Sequence, residues 1–172
     1  LLVHPSSLYV GIQSTRQFVR AGEPIDVEAI VTNIDGGVVA GRKFTITASR
    51  VESRFENGTW VDTDVDPEHC DVTSSTKPVS CSIKAGVAGQ YKISAVVTDD
   101  AGGRNRSEFT RWVSGADAVP TRGVDQQTAT VVPDQDTYRP GDTAHLLVVA
   151  PFAAAHGLLT VSSNGATRTR AF

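Results

Sequence analysis

The sequence predicts an all-β chain: a two-sheet sandwich of about seven strands, followed by the opening part of a second sandwich of the same kind. Three observations lead there. Apolar residues alternate with polar ones along most of the chain, clusters of turn-forming residues interrupt that alternation, and one short motif occurs twice. Nowhere does a 3.6-residue apolar stripe run long enough to make an amphipathic helix.

Taken in order, a first weak strand is expected at 7–12. Ile25, Val27, Ala29 and Val31 then alternate with Asp26, Glu28 and Thr32. Phe44, Ile46 and Ala48 alternate with Thr45, Thr47 and Ser49, and Tyr91, Ile93, Ala95 and Val97 with Lys92, Ser94 and Thr98. Such strips put one face on a core and the other in water, as in antiparallel sheets. Weaker strands are expected at 59–65, 79–83 and 107–113; residues 48–56 would also tolerate a helix. Asn33 to Gly37, Asn57-Gly58, Ala85-Gly86 with Gly89, and Asp99 to Gly103 supply the reversals between strands.

A composition shift without alternation follows at 114–123. It divides the chain into a domain at 1–114, a linker at 115–124, and the N-terminal part of a second domain at 125–172, with strands expected at 130–133, 144–150, 158–162 and 167–172. The repeated motif supports the division. Phe18-Val19-Arg20-Ala21-Gly22-Glu23 precedes the strand at 25–31, and Tyr138-Arg139-Pro140-Gly141-Asp142 precedes that at 144–150. Each reads aromatic, arginine, glycine, acid: a tight turn whose glycine takes a backbone shape closed to other residues before the chain enters a strand. Gly22 and Gly141 lie 119 residues apart, which sets the period, and about 50 residues of a second copy are too few to close a sandwich of about 100.

Composition narrows the function. Of 172 residues 40% are hydrophobic and 20% charged, so a packed core is expected; the formal net charge is −3 and the basic residues stand singly, which argues against a nucleic-acid partner. The longest apolar runs, such as 146–151, fall far short of the roughly 20 residues of a membrane helix, so no membrane insertion by this segment is expected. Cys70 and Cys81, eleven positions apart with Pro78 between them, are spaced for a bridge between two strands or across a hairpin, with two buried free thiols as the alternative. A bridge would stabilise the fold by about 3 kcal/mol on a chain-entropy view. It would also imply an oxidising, extracytoplasmic setting: periplasm, cell surface or outside the cell.

At the residues of the second copy the chain resembles a known family. The run from Val132 to Ala144, with Ala150-Pro151-Phe152 and Gly157-Leu158-Leu159-Thr160-Val161, is similar to a macroglobulin-like domain of the bacterial alpha-2-macroglobulins. Upstream, His4-Pro5-Ser6-Ser7-Leu8-Tyr9-Val10-Gly11, Glu56-Asn57-Gly58-Thr59-Trp60, the Cys70 and Cys81 pair, Ser107-Glu108-Phe109-Thr110 and Trp112-Val113-Ser114-Gly115 resemble the preceding domain. The resemblance implies strings of fibronectin-like sandwiches that trap endopeptidases after a bait segment is cut. In many members an internal thioester, formed within a Cys-x-Glu-Gln motif, then bonds to the attacker. Neither Cys70 (before Asp71-Val72-Thr73) nor Cys81 (before Ser82-Ile83-Lys84) fits that motif. The implied role is scaffold, with neighbouring domains of the parent protein as direct partners and target endopeptidases met through the full-length molecule. Arg122 in the linker invites trypsin-like cleavage, but so does any exposed loop.

Other chemistry reads as bland. Asp62, Asp64 and Asp66 alternate along one strand face, and with Glu68 offer oxygens to a hard cation; carboxylates at that spacing diverge, and a solvated edge that deters aggregation is the simpler reading. His69, Cys70 and Cys81 give at most three zinc ligands where a structural site takes four. The histidines at 4, 69, 145 and 156 accompany no nucleophile in a Gly-x-Ser-x-Gly turn, and His145 is expected to face solvent. Trp60 and Trp112 suit either a sheet edge or the core, or stacking on a sugar, the last favouring an immunoglobulin-like adhesin or carbohydrate-binding module. Asn57-Gly58-Thr59 and Asn105-Arg106-Ser107 match the N-glycosylation pattern and are expected in exposed turns. No catalytic, cofactor-binding or metal-ligating residue is singled out, no cofactor is expected, and the sequence points away from an enzyme.

Overall fold

The computed structural model describes residues 4–115, 128–150 and 156–172. Among them there is no helix. Eight strands precede residue 115: β1 (Leu8–Gln13), β2 (Phe18–Arg20), β3 (Pro24–Asn33), β4 (Lys43–Glu56), β5 (Thr59–Thr73), β6 (Val79–Lys84), β7 (Gly89–Thr98) and β8 (Arg104–Ser114). Four follow: β9 (Thr130–Pro133), β10 (Leu146–Val149), β11 (Leu158–Ser163) and β12 (Ala166–Ala171). The linker expected at 115–124 lies, apart from Gly115, outside the described residues.

A three-stranded sheet, β1-β3-β6, faces a five-stranded sheet, β2-β8-β7-β4-β5. Every pairing is antiparallel except β2 with β8, which is parallel. The alternation read from the sequence is what fills the space between the sheets: Ile25, Val27 and Val31 from one, and Ile46, Ile93, Ala95 and Val97 from the other, are essentially sealed from solvent. Each large aliphatic side chain so buried contributes about 1.5–3 kcal/mol. Asp26, Glu28, Thr45 and Thr47, one residue out of phase, stay on the outer faces.

The structure differs from the sequence reading in four places. The sandwich has one strand more than expected, because β2 is only three residues long and lies inside the corner motif. β4 and β5 are far longer than 44–48 and 59–65; 48–56 is strand and not helix, since the β5 ladder continues to Glu56↔Thr59. The carboxylates of Asp62, Asp64 and Asp66 do not share a face. A bulge sets Asp66 and Pro67 opposite the single residue Ser49, Asp66 has a φ of 50°, and its side chain meets Arg50 while Asp62 and Asp64 meet Ser53 and Lys92. Asn105, finally, is half-buried within β8 and not in an exposed turn.

The two sides of the sandwich are closed differently. On one, Cys70 beside Ile46 and Cys81 beside Val27 are joined by a disulfide across the edge strands β5 and β6, with a Cα–Cα distance of 6.4 Å. On the other, side chains of β8 replace a ladder to β1: the Val10 amide donates to Asn105 Oδ1 (3.0 Å) and Ser107 Oγ donates to the Val10 carbonyl (2.5 Å). Both N–H and C=O of an edge residue are thereby satisfied without a strand partner.

Candidate functional site

Three features stand out from the sandwich: a projecting hairpin, an acid that ties down the entering chain, and a turn that occurs twice. The hairpin arises because β4 pairs with β7 only as far as Val51↔Gln90, whereas β4 and β5 run on together to the turn at Asn57 and Gly58. Positive φ at both turn residues (50° and 82°) gives the turn the twist of the strands it joins. Near the tip Phe55 (61% exposed) packs on Trp60, ring centroids 5.4 Å apart, while Val61, opposite Arg54, is exposed on the other face. That other face carries a ladder of charges, Arg50 with Glu52 (2.9 Å) and Asp66 (2.8 Å), and Arg54 with Glu52 (3.2 Å). Arg50 and Arg54 hold the Glu52 carboxyl below the usual carboxylate range.

Asp99 begins the reversal between β7 and β8. It accepts from the Ser7 amide (2.7 Å), the Ser7 and Ser6 hydroxyls (3.0 and 3.2 Å), and the amides of Ala101 (3.0 Å) and Gly103 (2.7 Å). These donors, the Ser7 amide first, lower its pKa to about 2. Its neighbour Asp100 takes a two-pronged contact from Arg42 (2.5 and 2.7 Å).

The repeated motif makes the same turn twice. The Glu23 amide donates to the Arg20 carbonyl (2.9 Å), and the Asp142 amide to that of Arg139 (3.0 Å). Gly22 and Gly141, third in each turn, have φ of 90° and 96°, as a type II turn requires. The acid then reaches back: Glu23 Oε2 accepts from the Arg20 amide (3.1 Å) and Asp142 Oδ2 from the Arg139 amide (2.7 Å). The flanking ladders also agree. Ile12 faces Ala29 in β1–β3, and Val131 faces Val148 in β9–β10; both partners have moved on by 119 positions, the spacing of the two glycines.

The remaining sequence candidates scatter. Trp112, opposite Gln90 and Phe18, is half-buried on β8, and no described Trp sits beside the other. Asn57 is exposed in its turn, and His145 is exposed just before β10. His69 shares a bond with Thr47 Oγ1 (3.1 Å). Among the described residues no three His, Cys, Asp or Glu side chains are grouped as a metal site would need, and no helix is long and apolar enough to cross a membrane. Arg122 lies outside the described residues. Missed at the sequence level were Asp99 and the length of the arm; the Asp99-Asp100 start of a Gly-rich turn was the available signal for the first, and nothing local marked the second.

The geometry defines a class first: an immunoglobulin-like two-sheet β-sandwich followed by further β-hairpins, with turn and ladder repeated along the chain. No family model matches the sequence. The chain is 25% identical over 160 residues to an alpha-2-macroglobulin homologue of a Nostoc species, a match that takes in 88% of this chain and 8% of that protein. Among solved structures, native Escherichia coli alpha-2-macroglobulin is similar at 18% identity and a TM-score of 0.42, over 98% of this chain and 12% of that one. Salmonella alpha-2-macroglobulin reacted with methylamine gives the same figures, 18% identity and 0.42 over 98% and 12%. The Bacillus subtilis sporulation control protein Spo0M is similar at 9% identity and 0.45, over 75% and 59%. A sequence match of that span includes residues on both sides of 116–127, so the likeness to an alpha-2-macroglobulin homologue runs along most of the chain. It spans about a twelfth of the length of its curated relative.

Proposed function

We propose that this chain is a structural scaffold segment of a bacterial alpha-2-macroglobulin-like, broad-spectrum endopeptidase inhibitor, acting outside the cytoplasm and without catalysis of its own. The observation that carries the reading is the sequence match to an alpha-2-macroglobulin homologue over 160 residues. The shared turn and the shared ladder register support a division into one unit at 1–114, a linker at 115–124, and residues 125–172 as part of a second unit of the same kind. In this reading target endopeptidases meet the full-length protein, and this segment meets its neighbouring domains. The test uses the parent protein: after incubation with trypsin, the protease should keep its activity on a small peptide substrate while becoming inaccessible to a large protein inhibitor. Equal access for both in the treated and untreated enzyme would reject the trap.

A second reading, an adhesin or carbohydrate-binding module, draws on the pairing of exposed Phe55 with half-buried Trp60 at the end of the arm. A glycan array decides it: binding that disappears in Trp60→Ala would support it, and a blank array would remove it.

A further inference from the structure

The 14–17 connection between β1 and β2 is held from two sides. From β8, Arg111 Nη2 donates to the Ser14 carbonyl (2.9 Å) and the Trp112 amide to the Gln17 carbonyl (3.2 Å). From the far side come β9 and the residues after it: the Gln17 amide donates to the Asp134 carbonyl (2.9 Å), and Gln17 Nε2 to Asp136 Oδ1 (2.6 Å). Asp134 is itself fixed, accepting at Oδ1 from the Tyr138 hydroxyl (2.5 Å) and the His145 amide (3.0 Å), while its own amide donates to the His145 carbonyl (2.9 Å). Gln17 therefore meets a hydrogen-bonded part of the connection between β9 and β10.

Beneath this contact lies a partly buried cation. Arg111 takes a core-side position on β8, its guanidinium 4.2 Å from the Phe109 ring centroid, and its Nε is buried without a hydrogen-bond partner. A desolvated cation with an unmet N–H favours a nearby carboxylate. Burial lowers the Arg111 pKa, and the charge of Asp136 acts in the opposite sense.

We infer that Gln17 and Asp136 form a latch that docks the β9–β10 hairpin onto the β1–β2 corner of the sandwich, with the half-buried Arg111 as the charge that favours the closed form. The latch joins positions 119 apart, the same interval that separates the two turns. Corner therefore meets corner, and the relative placement of the two pieces is set by this polar contact as well as by the residues that connect them. Because one of its components is an attraction between charges that solvent reaches at the rim, the latch loosens as ionic strength rises.

Amide hydrogen exchange on the whole chain tests this directly, because the Gln17 N–H finds its acceptor only when the hairpin is docked. In the wild type the Gln17 amide should be protected. Asp136→Ala should speed its exchange by roughly tenfold, and Gln17→Ala, which keeps the backbone donor, by a similar factor. The Ile93 amide inside the sandwich serves as the control that the fold is intact. Asp136→Asn retains an acceptor for Gln17 but no charge for Arg111, so an intermediate rate together with loss of most of the salt dependence is expected. An unprotected Gln17 amide in the wild type, or wild-type protection in both alanine variants, overturns the latch. Wild-type rate and salt response in Asp136→Asn overturn the part assigned to Arg111.

Discussion

The turn at residues 20–23 and the turn at residues 139–142 have the same hydrogen bonds and the same positive φ at glycine, yet they lead into different surroundings. After the first, Ile25, Val27, Ala29 and Val31 enter a space closed by a second sheet and are at most 2% exposed. After the second, Leu146 remains 38% exposed, and Val131 on the paired strand β9, 48%. The comparison separates two kinds of cause. Turn geometry follows from a handful of adjacent residues, whereas burial of the strand that follows needs partners from strands far away in sequence.

The largest way to test that separation is to delete core atoms on either side of it. Ile93→Ala, at a position with no exposed surface, should cost about 2–5 kcal/mol in urea unfolding, and Leu146→Ala under about 1 kcal/mol. Comparable losses at both would mean that the second ladder is as tightly packed as the first. Next comes the staple that only the sandwich possesses. Replacing both Cys70 and Cys81 by alanine should remove about 3 kcal/mol, and the intact wild-type protein should weigh two daltons less than its reduced form. Full labelling of both thiols in unreduced protein would deny the bridge.

Gly22→Ala and Gly141→Ala are expected to cost about 1 kcal/mol each, since both demand a left-handed backbone. The first should lower the global unfolding midpoint. The second should appear as faster exchange of the Asp142 amide with the sandwich unchanged; a drop in global stability from Gly141→Ala would tie the two regions together more closely than their burial implies. The smallest effect concerns Asp99, whose pKa is lowered in the folded state from 3.8 to about 2. A depressed carboxylate pKa contributes stability at pH values above 3.8, and that contribution is lost as pH falls towards 2. Thermal melts between pH 5 and 2 should show a step in the wild type that is reduced in Asp99→Asn, whereas parallel curves would deny Asp99 the role.

Much of this was legible because its causes are local. The period-two pattern at 25–31, 44–48 and 91–97 gave the central strands and their inward faces correctly, and Asn57-Gly58 placed the hairpin turn. β2 escaped notice because three residues carry no period, and it exists only where β8 offers a parallel edge. The alternation of Asp62, Asp64 and Asp66 misled for the opposite reason: it continues through a bulge, and a bulge reverses the facing of every side chain beyond it. Asn105 fitted a surface motif, but the unpaired edge of β1 draws its side chain inward.

What the sequence determined by itself, then, is the all-β class, the faces of the central strands and the twin turns, each written in the pattern of residues close along the chain. Only the tertiary structure decided which edges meet: β5 with β6, where the expected Cys70–Cys81 bridge falls, Asn105 and Ser107 with Val10, and Gln17 with Asp136. Those meetings depend on how two twisted sheets stack and where their edges come together. Distance along the chain does not encode that, because closing a longer loop adds little entropy cost once a core has formed to hold its ends.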